Sequence, residues 1–498
     1  MEYLWQEVDN LNEIKLEILK NESSETPKES TSSTKFTPFS QTNFDGFKTP
    51  EDFVHLFFPE HIFKFLADKT NAYADAFIKS LKDQRIKTFY EKQWYPGTTS
   101  IEMRKFLGLI ILMGMLKTPK ISDYWRRASP LSNKFICSVM TYTRFKTLSK
   151  FLHFTDNIKE NCSNDKFFKV RPLLNLFGEI WVKNYCAKES ICIDQTDLPL
   201  KGNIKIFALA DSTTGYIIKW QTFDKGDDYE SSYLNQIVLH LLTGFENKGF
   251  HLYLDSFFTS ISLMKELDVI GVGATGTVRK HKKNFPSVNT KNLNEKNPFI
   301  FKKLGSILFI VWKERKEIYM LTNKYEEKII QKNSKGIYEK PYCIENYNKY
   351  LHGVGLANQQ TTYYRFQHKS FQWYKNIFYY ILEITINNSY LVYKQTLKNS
   401  GVRILKYQEF RLFIVEFWIS LNDDKKTKAP VVKETSLPTR LTERHFLEEI
   451  CNKKRRDCRV CSKRIGIRIK AKYCCKQCKV ALCPTQCFEL FHTMPDFK

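Results

Sequence analysis

Between residues 458 and 492 the chain carries Cys458-x2-Cys461, Cys474-Cys475-x2-Cys478, Cys483, Cys487 and His492. Two thiolates separated by two residues turn back toward one tetrahedral ion, and two such pairs followed by further Cys and His ligands describe a cross-braced module holding two structural Zn2+ ions. Two complete sites need eight ligands. The regular pattern supplies seven, counting Cys475 from the adjacent pair, and leaves the last to Cys451, to Cys474 or to no residue. Eight of the 13 cysteines lie between Cys451 and Cys487, a clustering that points to metal in a reducing compartment rather than to disulfides spread along a secreted chain.

A second chemical set is acidic. Ser190-Ile-Cys-Ile-Asp194 and His251-Leu-Tyr-Leu-Asp255 are short apolar strands, each closing on an aspartate. Phosphodiester cleavage and strand transfer can be driven by two divalent ions roughly 3.5 to 4 Å apart. Mg2+ requires several hard oxygen ligands, so two and usually three carboxylates must converge at neighbouring strand ends. An aspartate after an apolar strand is also an ordinary turn residue, so the pair alone is ambiguous.

The elements that must position these residues change character along the chain. Residues 1–45 are polar, rich in Ser, Thr and Glu, and are expected to be disordered. Residues 46–188 read as a helical domain, with helices over 52–65, 71–89, 100–116 and 141–151; Thr99 or Ser100 is placed to cap the third. From residue 189 the period turns to that of strands: 190–194, 203–211 and 215–223, with a hairpin turn at Thr213-Thr-Gly215. A helix over 229–245, the strand ending at Asp255, a helix over 259–267 and a strand over 269–278 complete a mixed sheet of ribonuclease-H-like order, residues 189–280. Residues 281–345 break that rhythm with a Lys- and Asn-rich loop and a strand pair, 300–312 and 317–322, and are expected to be an inserted domain. Residues 346–420 return to the core with helices from Asn358, 421–450 read as a basic linker, and 451–498 form the cysteine-rich domain.

With 78 Lys and Arg against 53 Asp and Glu, the formal charge is +25, which selects a polyanionic partner, in first place nucleic acid. Membrane insertion is excluded by length: the longest apolar run, Phe106 to Leu116, is too short to span a bilayer. Positive charge concentrates around the cysteines, at Lys453, Lys454, Arg455, Arg456, Arg459, Lys463, Arg464, Arg468, Lys470 and Lys472. Such a surface neutralises phosphates and binds double-stranded DNA with strong salt dependence. The run Lys453 to Arg456 also reads as a nuclear import signal.

The ordered matches Phe106-Leu-Gly-Leu-Ile, Ile121-Ser-Asp-Tyr-Trp125, Leu152-His-Phe-Thr-Asp156, Asp165-Lys-Phe-Phe-Lys-Val-Arg-Pro-Leu-Leu174, Leu254-Asp-Ser-Phe-Phe-Thr-Ser260 and Ala274-Thr-Gly276-Thr-Val-Arg279 make the chain resemble the piggyBac-type transposases along nearly its whole ordered length. The resemblance implies a helical dimerisation and DNA-binding region, a ribonuclease-H-like core interrupted by an insertion, and a zinc-binding tail that reads the terminal repeats of the element. It also implies three catalytic aspartates. Asp194 and Asp255 fit the first two.

The third is where the chain departs. A Gly-Gly-Val-Asp segment, followed three residues later by another aspartate, corresponds here to His352-Gly-Val-Gly-Leu-Ala-Asn-Gln359, which puts Gly355 at the third catalytic position and Asn358 at the accessory acidic one. Glycine offers no carboxylate, and asparagine only a neutral oxygen, so the loss of two negative charges removes much of the affinity for two dications. Glu345 and Glu383 lack the spacing to compensate. The polar, basic stretch that family members carry after Lys-Gly-Arg is also absent, since Lys201-Gly-Asn203 runs straight into the next strand. The expected protein is a nuclear, homodimeric, transposase-derived DNA-binding protein without strand cleavage. Its rivals are an active transposase with Mg2+ and a compensating acid, and a zinc-containing protein-interaction module on an inactive scaffold.

Overall fold

The computed structural model describes residues 6–7, 16–17, 36–38, 44–126, 130–155, 165–196, 204–224, 231–280, 282, 285–290, 293, 298–327, 329–333, 337–366, 372–420, 444–450, 455–464 and 468–494. The chain forms two compact units, Met1–Asn422 and Asp423–Lys498. Within the stretch expected to lack structure, two dipeptide strands form: β1 (Gln6–Glu7) and β2 (Leu16–Glu17).

The helical region comprises α1 (Pro50–Phe57), α2 (Glu60–Ser80), α3 (Gln84–Trp94), α4 (Ser100–Leu116), a 3-10 turn at Ile121–Trp125, α5 (Lys134–Val139), α6 (Tyr142–Phe151) and α7 (Arg171–Lys183). Its first breaks differ from those expected. The helix placed over 52–65 divides at Phe58-Pro59, because proline lacks an N–H and disfavours helical backbone in the residue before it. The next break falls at Leu81, where Asp83 then caps α3 by accepting from the amides of Arg85 and Ile86. Helix α4 has the expected bounds, and the Thr99 hydroxyl oxygen accepts from the Glu102 amide at 3.2 Å. Ten residues of α4 are buried, which is why its apolar residues show no single-faced period.

The sheet region follows as β3 (Ser190–Gln195), β4 (Ile204–Asp211), β5 (Ile217–Asp224), α8 (Ser231–Leu242), β6 (His251–Leu254), α9 (Ile261–Val269), β7 (Gly273–Val278), β8 (Phe299–Leu304), β9 (Ile307–Lys313), β10 (Glu317–Thr322), β11 (Ile329–Asn333), β12 (Ile337–Pro341), α10 (Tyr342–Tyr350), α11 (Gly353–Tyr364), α12 (Trp373–Thr396) and α13 (Tyr407–Ser420). Nine strands make one mixed sheet in the order β1-β8-β9-β10-β7-β6-β3-β4-β5. β3, β6 and β7 are parallel, while β4 and β5 return antiparallel through the turn at Gly215, whose φ is +76°. This is the ribonuclease-H-like arrangement with helices packed on it.

The segment expected as an insertion contributes to that same sheet. A turn at Gly305 splits the long strand 300–312 into β8 and β9, and β10 pairs antiparallel with β7 from Tyr319↔Val278 to Thr322↔Thr275. Apolar residues on β9, five of them Ile307 to Val311, are buried, so these strands share the core hydrophobic cluster. The helices after β12 begin at Tyr342, well before Asn358. Along α12, Tyr374, Phe378, Tyr379 and Tyr380 are core residues, and Glu383 is locked to Arg411 of α13 by two hydrogen bonds of 2.6 and 3.1 Å.

The second unit contains β13 (Leu447–Glu449), β14 (Arg456–Asp457), α14 (Arg459–Arg464), β15 (Lys470–Ala471), β16 (Tyr473–Cys475), β17 (Ala481–Leu482) and α15 (Gln486–Thr493). β13 pairs antiparallel with β16, so residues 444–450, expected to belong to the linker, are part of the cysteine-rich fold. Among the described residues, no helix is long and apolar enough to cross a membrane.

Candidate functional site

In the second unit the sequence brings eight ligand side chains into two groups. Cys458, Cys461, Cys483 and Cys487 form one, and His445, Cys475, Cys478 and His492 the other; within each, all four ligand atoms lie within 4.8 Å of one another. Cys461 Sγ is 3.9 Å from Cys483 Sγ and 3.4 Å from Cys487 Sγ. In the second group His445 Nδ1 lies 3.5 Å from Cys475 Sγ and 3.6 Å from Cys478 Sγ, and His492 Nε2 lies 3.6 Å from Cys478 Sγ. Zn–S bonds of about 2.3 Å and Zn–N bonds of about 2.0 Å place tetrahedral ligands roughly 3.3 to 3.8 Å apart, so both donor sets fit a zinc-type ion. The His492 Nδ1–H donates to the Phe488 carbonyl at 2.7 Å, which fixes the tautomer that leaves Nε2 for metal. Along the chain the second group supplies His445, then Cys475 and Cys478, then His492, interleaved with the pairs of the first. That is the cross-brace expected.

Among the described residues the eighth place is taken by a histidine. Cys474 belongs to neither group: neighbouring residues on a strand face opposite sides, so with Cys475 turned to the metal group, Cys474 turns away and its thiol donates to Glu448 Oε1 at 3.6 Å. Burial and the Glu448 carboxylate push that thiol's pKa up. Cys451 lies outside the described residues. His445 fills the place, carried in by β13 from 30 residues before Cys475. The deficit of one ligand was the signal in the sequence, and the only imidazole shortly upstream was its answer.

Of the basic residues named for this unit, Arg455, Arg456, Arg459, Arg468, Lys470 and Lys472 are exposed. Pairing of β14 with β15, Arg456↔Ala471 and Asp457↔Lys470, puts Arg456 and Lys470 on one two-stranded ribbon, with Lys472 just after it. Lys463 and Arg464 end α14; Lys453 and Lys454 lie outside the described residues. From 444 to 498 the sequence has fourteen Lys and Arg against five Asp and Glu.

In the first unit the parallel register Ile193↔Leu254 makes Asp194 and Asp255 the next residues at the carboxyl ends of adjacent strands. Asp194 Oδ1 accepts from the Gln195 amide at 2.7 Å. Asp255 Oδ1 accepts from the amides of Phe257 and Phe258 at 3.0 and 3.4 Å, a turn made possible by Gly276, where a Cβ would collide with Thr259 Oγ1. Burial raises the Asp255 carboxyl above its usual range, against those two hydrogen bonds and the charges of Arg279 and Lys282. Tyr347 of α10, bonded to Thr277 Oγ1 at 3.0 Å, feels both carboxylates: burial first, then Asp255 and Asp194, push its hydroxyl to about 12.

Helix α11 starts close against β3 and β4. A Cβ on Gly353 would stand 2.7 Å from the Asp211 carbonyl and 2.8 Å from Cys192 Sγ, so only glycine lets the helix start lie this close to β3 and β4. Gly355, two residues further along the helix, is exposed and a Cβ there meets nothing within 4 Å. Asn358 is buried, and its Oδ1 accepts from the Tyr380 hydroxyl at 3.3 Å. Glu345 pairs with Lys340 at 2.7 Å and Glu383 with Arg411. Among the described residues, no third Asp, Glu, His or Cys gathers with Asp194 and Asp255; the groups of three or more are the two in the second unit.

A mixed sheet with adjacent strand-end aspartates, flanked by helices in this order, is the core of a DNA transposase class. The chain belongs to the Transposase IS4 family, whose model matches residues 49–390. Among human proteins it is 23% identical over 411 residues to PiggyBac transposable element-derived protein 2, covering 76% of this chain and 66% of that protein. It is 24% identical over 389 residues to PiggyBac transposable element-derived protein 3, covering 70% and 62%. The chain thus spans just under two thirds of the length of these relatives. The cryo-EM structure of a piggyBac transposase synaptic complex with hairpin DNA shares the fold, with a TM-score of 0.69 at 21% identity, covering 90% of this chain and 97% of that one.

Proposed function

We propose that this chain is a transposase-derived DNA-binding protein whose cysteine-rich unit engages duplex DNA and whose core no longer cleaves or transfers strands. The observation that carries this reading is the acidic site: two neighbouring carboxylates, with Gly355 on the open face of α11 where the resemblance calls for a third. Two divalent ions need more oxygen ligands than Asp194 and Asp255 supply, and Asp255 is held in an environment that disfavours its charge. The residues present do not fit a two-Mg2+ centre.

The second unit supports the binding half. Cys458, Cys461, Cys483 and Cys487 would hold one Zn2+, and His445, Cys475, Cys478 and His492 the other; zinc there contributes folding free energy. The metal-bound frame fixes Arg456 and Lys470 on the β14–β15 ribbon and Lys472 just after it, whose charges neutralise phosphates. The partners in this reading are double-stranded DNA, including element terminal repeats, and a second copy of the chain, in the nucleus.

Comparing full-length protein with a version ending at Asn422 tests it by duplex binding across salt. The full chain is expected to bind tightly, with log K falling against log salt by about 0.9 per phosphate neutralised, and the shortened chain weakly. Equal binding by both, or Mg2+-dependent cleavage of element ends that Asp255→Ala abolishes, would sink the proposal.

A further inference from the structure

The edge strand β5 lies at the opposite end of the sheet from β1 and β8, and it borders a cavity whose lining includes neither Asp194 nor Asp255. The cavity measures about 700 Å3 and lies between α7, β5 and α8. Leu174, Val182, Trp220 and Leu241 give it apolar walls; Arg171 is already paired with Asp165 at 2.8 Å, while Lys183, Lys219 and His240 stand against Glu179, the one acid of the lining. Four consecutive residues of β5, Lys219 to Thr222, line it. Successive side chains on a strand face opposite ways, so a cavity touched by four in a row wraps the strand's edge rather than one face. β5 ends the sheet, and an edge strand offers a row of backbone donors and acceptors to an added strand.

Two further observations point to a missing neighbour. At the start of β5 the amide of Asn388 imitates one, accepting from the Ile217 N–H at 3.1 Å and donating to the Ile217 carbonyl at 2.8 Å; the imitation stops there, before the residues that line the cavity. Thr222 is buried along that lining, and its Oγ1 has no hydrogen-bond partner in the structure.

We propose that this cavity is a docking groove for an extended, acidic segment of a partner protein, which adds a strand to β5 beside Lys219–Thr222 and sets apolar side chains against Trp220 and Val182. Backbone pairing gives such a complex its affinity, alternate side chains its specificity, and the excess of cations selects acidic residues at the rim.

Gly178 supplies a clean test, since it lines the groove from α7 and a Cβ there meets nothing within 4 Å. Gly178→Leu fills the groove while favouring the helix. The probe is a fluorescent peptide of alternating valine and glutamate, with its N-methylated form and a valine–lysine form as controls, titrated into the full-length protein. The glutamate peptide is expected to bind, to slow hydrogen exchange at residues 219–222, and to lose roughly tenfold or more in affinity with Gly178→Leu, with duplex DNA binding unchanged. Equal binding by the N-methylated or lysine peptide, no protection at 219–222, or a Gly178→Leu effect on DNA binding instead of peptide binding would overturn the assignment.

Discussion

The two candidate ligand sets of this chain differ in how completely they gather. The cysteine-rich unit brings eight Cys and His side chains into two groups of four, whereas among the described residues the strand-end aspartates Asp194 and Asp255 gather no third such side chain. The difference follows from what each holds up. About fifty residues around the cysteines bury a small cluster, Cys458, Val460, Cys461, Ala471, Cys475, Ala481, Leu482 and Phe491, too little to fold without metal. The carboxylates sit instead at the ends of strands inside a large common core, so the sheet stands whether or not they bind anything. A ligand set that is also the scaffold is retained with the fold; one mounted on a scaffold can be lost alone.

Removing metal should break the comparison most severely. Chelation is expected to unfold the second unit, since structural zinc contributes on the order of 10–16 kcal/mol in small modules, and to leave the melting of the first unit in place; differential scanning calorimetry with and without chelator separates the two. His445→Ala should reduce bound zinc from two equivalents toward one, measured by native mass spectrometry. Gly355→Asp should move the core the other way. The open space accepts the side chain, and an acid in the first turn of α11 suits the helix dipole. Mn2+ at a hundredfold excess over Kd would then stabilise the variant by about 2.7 kcal/mol and leave the parent unmoved.

Smaller effects sharpen the contrast. Asp255→Asn keeps the oxygen that accepts from Phe257 and Phe258 and removes the partly buried charge, so a gain in stability at neutral pH is expected from urea unfolding. Because the folded carboxyl binds its proton more tightly than the unfolded one, the parent loses stability as pH rises from about 4, the unfolded value, through the raised folded value. The asparagine variant should flatten that decline. Cys474→Ser should change stability by no more than about 0.5 kcal/mol, against loss of a metal site for Cys475→Ser.

What the sequence revealed depended on how local the cause was. The bounds of α4 were readable because Thr99 and the apolar run are neighbours in the chain, and the adjacent aspartates were readable because each ends its own strand. The split of the first helices was written in Pro59 and was missed by following apolar spacing across it. Nothing local reports that β10 pairs with β7, so strands 299–322 read as a separate insertion although they continue the sheet. His445 escaped for the same reason. Its role arises from the pairing of Leu447 with Cys475, a contact across 28 residues, and a single histidine beyond a charged stretch carries no spacing signal. The alternation that turns Cys475 inward and Cys474 outward likewise needs the strand to be placed first.

The interleaving of the two ligand groups has a thermodynamic consequence for the second unit. Holding Cys458 and Cys461 to Cys483 and Cys487 draws together a stretch that lies wholly between His445 and His492, so the first ion shortens the chain that the second must close. Loop entropy grows with the logarithm of length, and the second ion therefore binds to a partly prepaid loop. Uptake should be mildly cooperative, by somewhat under about 1 kcal/mol on this ground. A fall in zinc would then empty the two groups over a narrower range than two independent sites would allow, so the fold of this unit should follow metal supply more steeply than either site would alone.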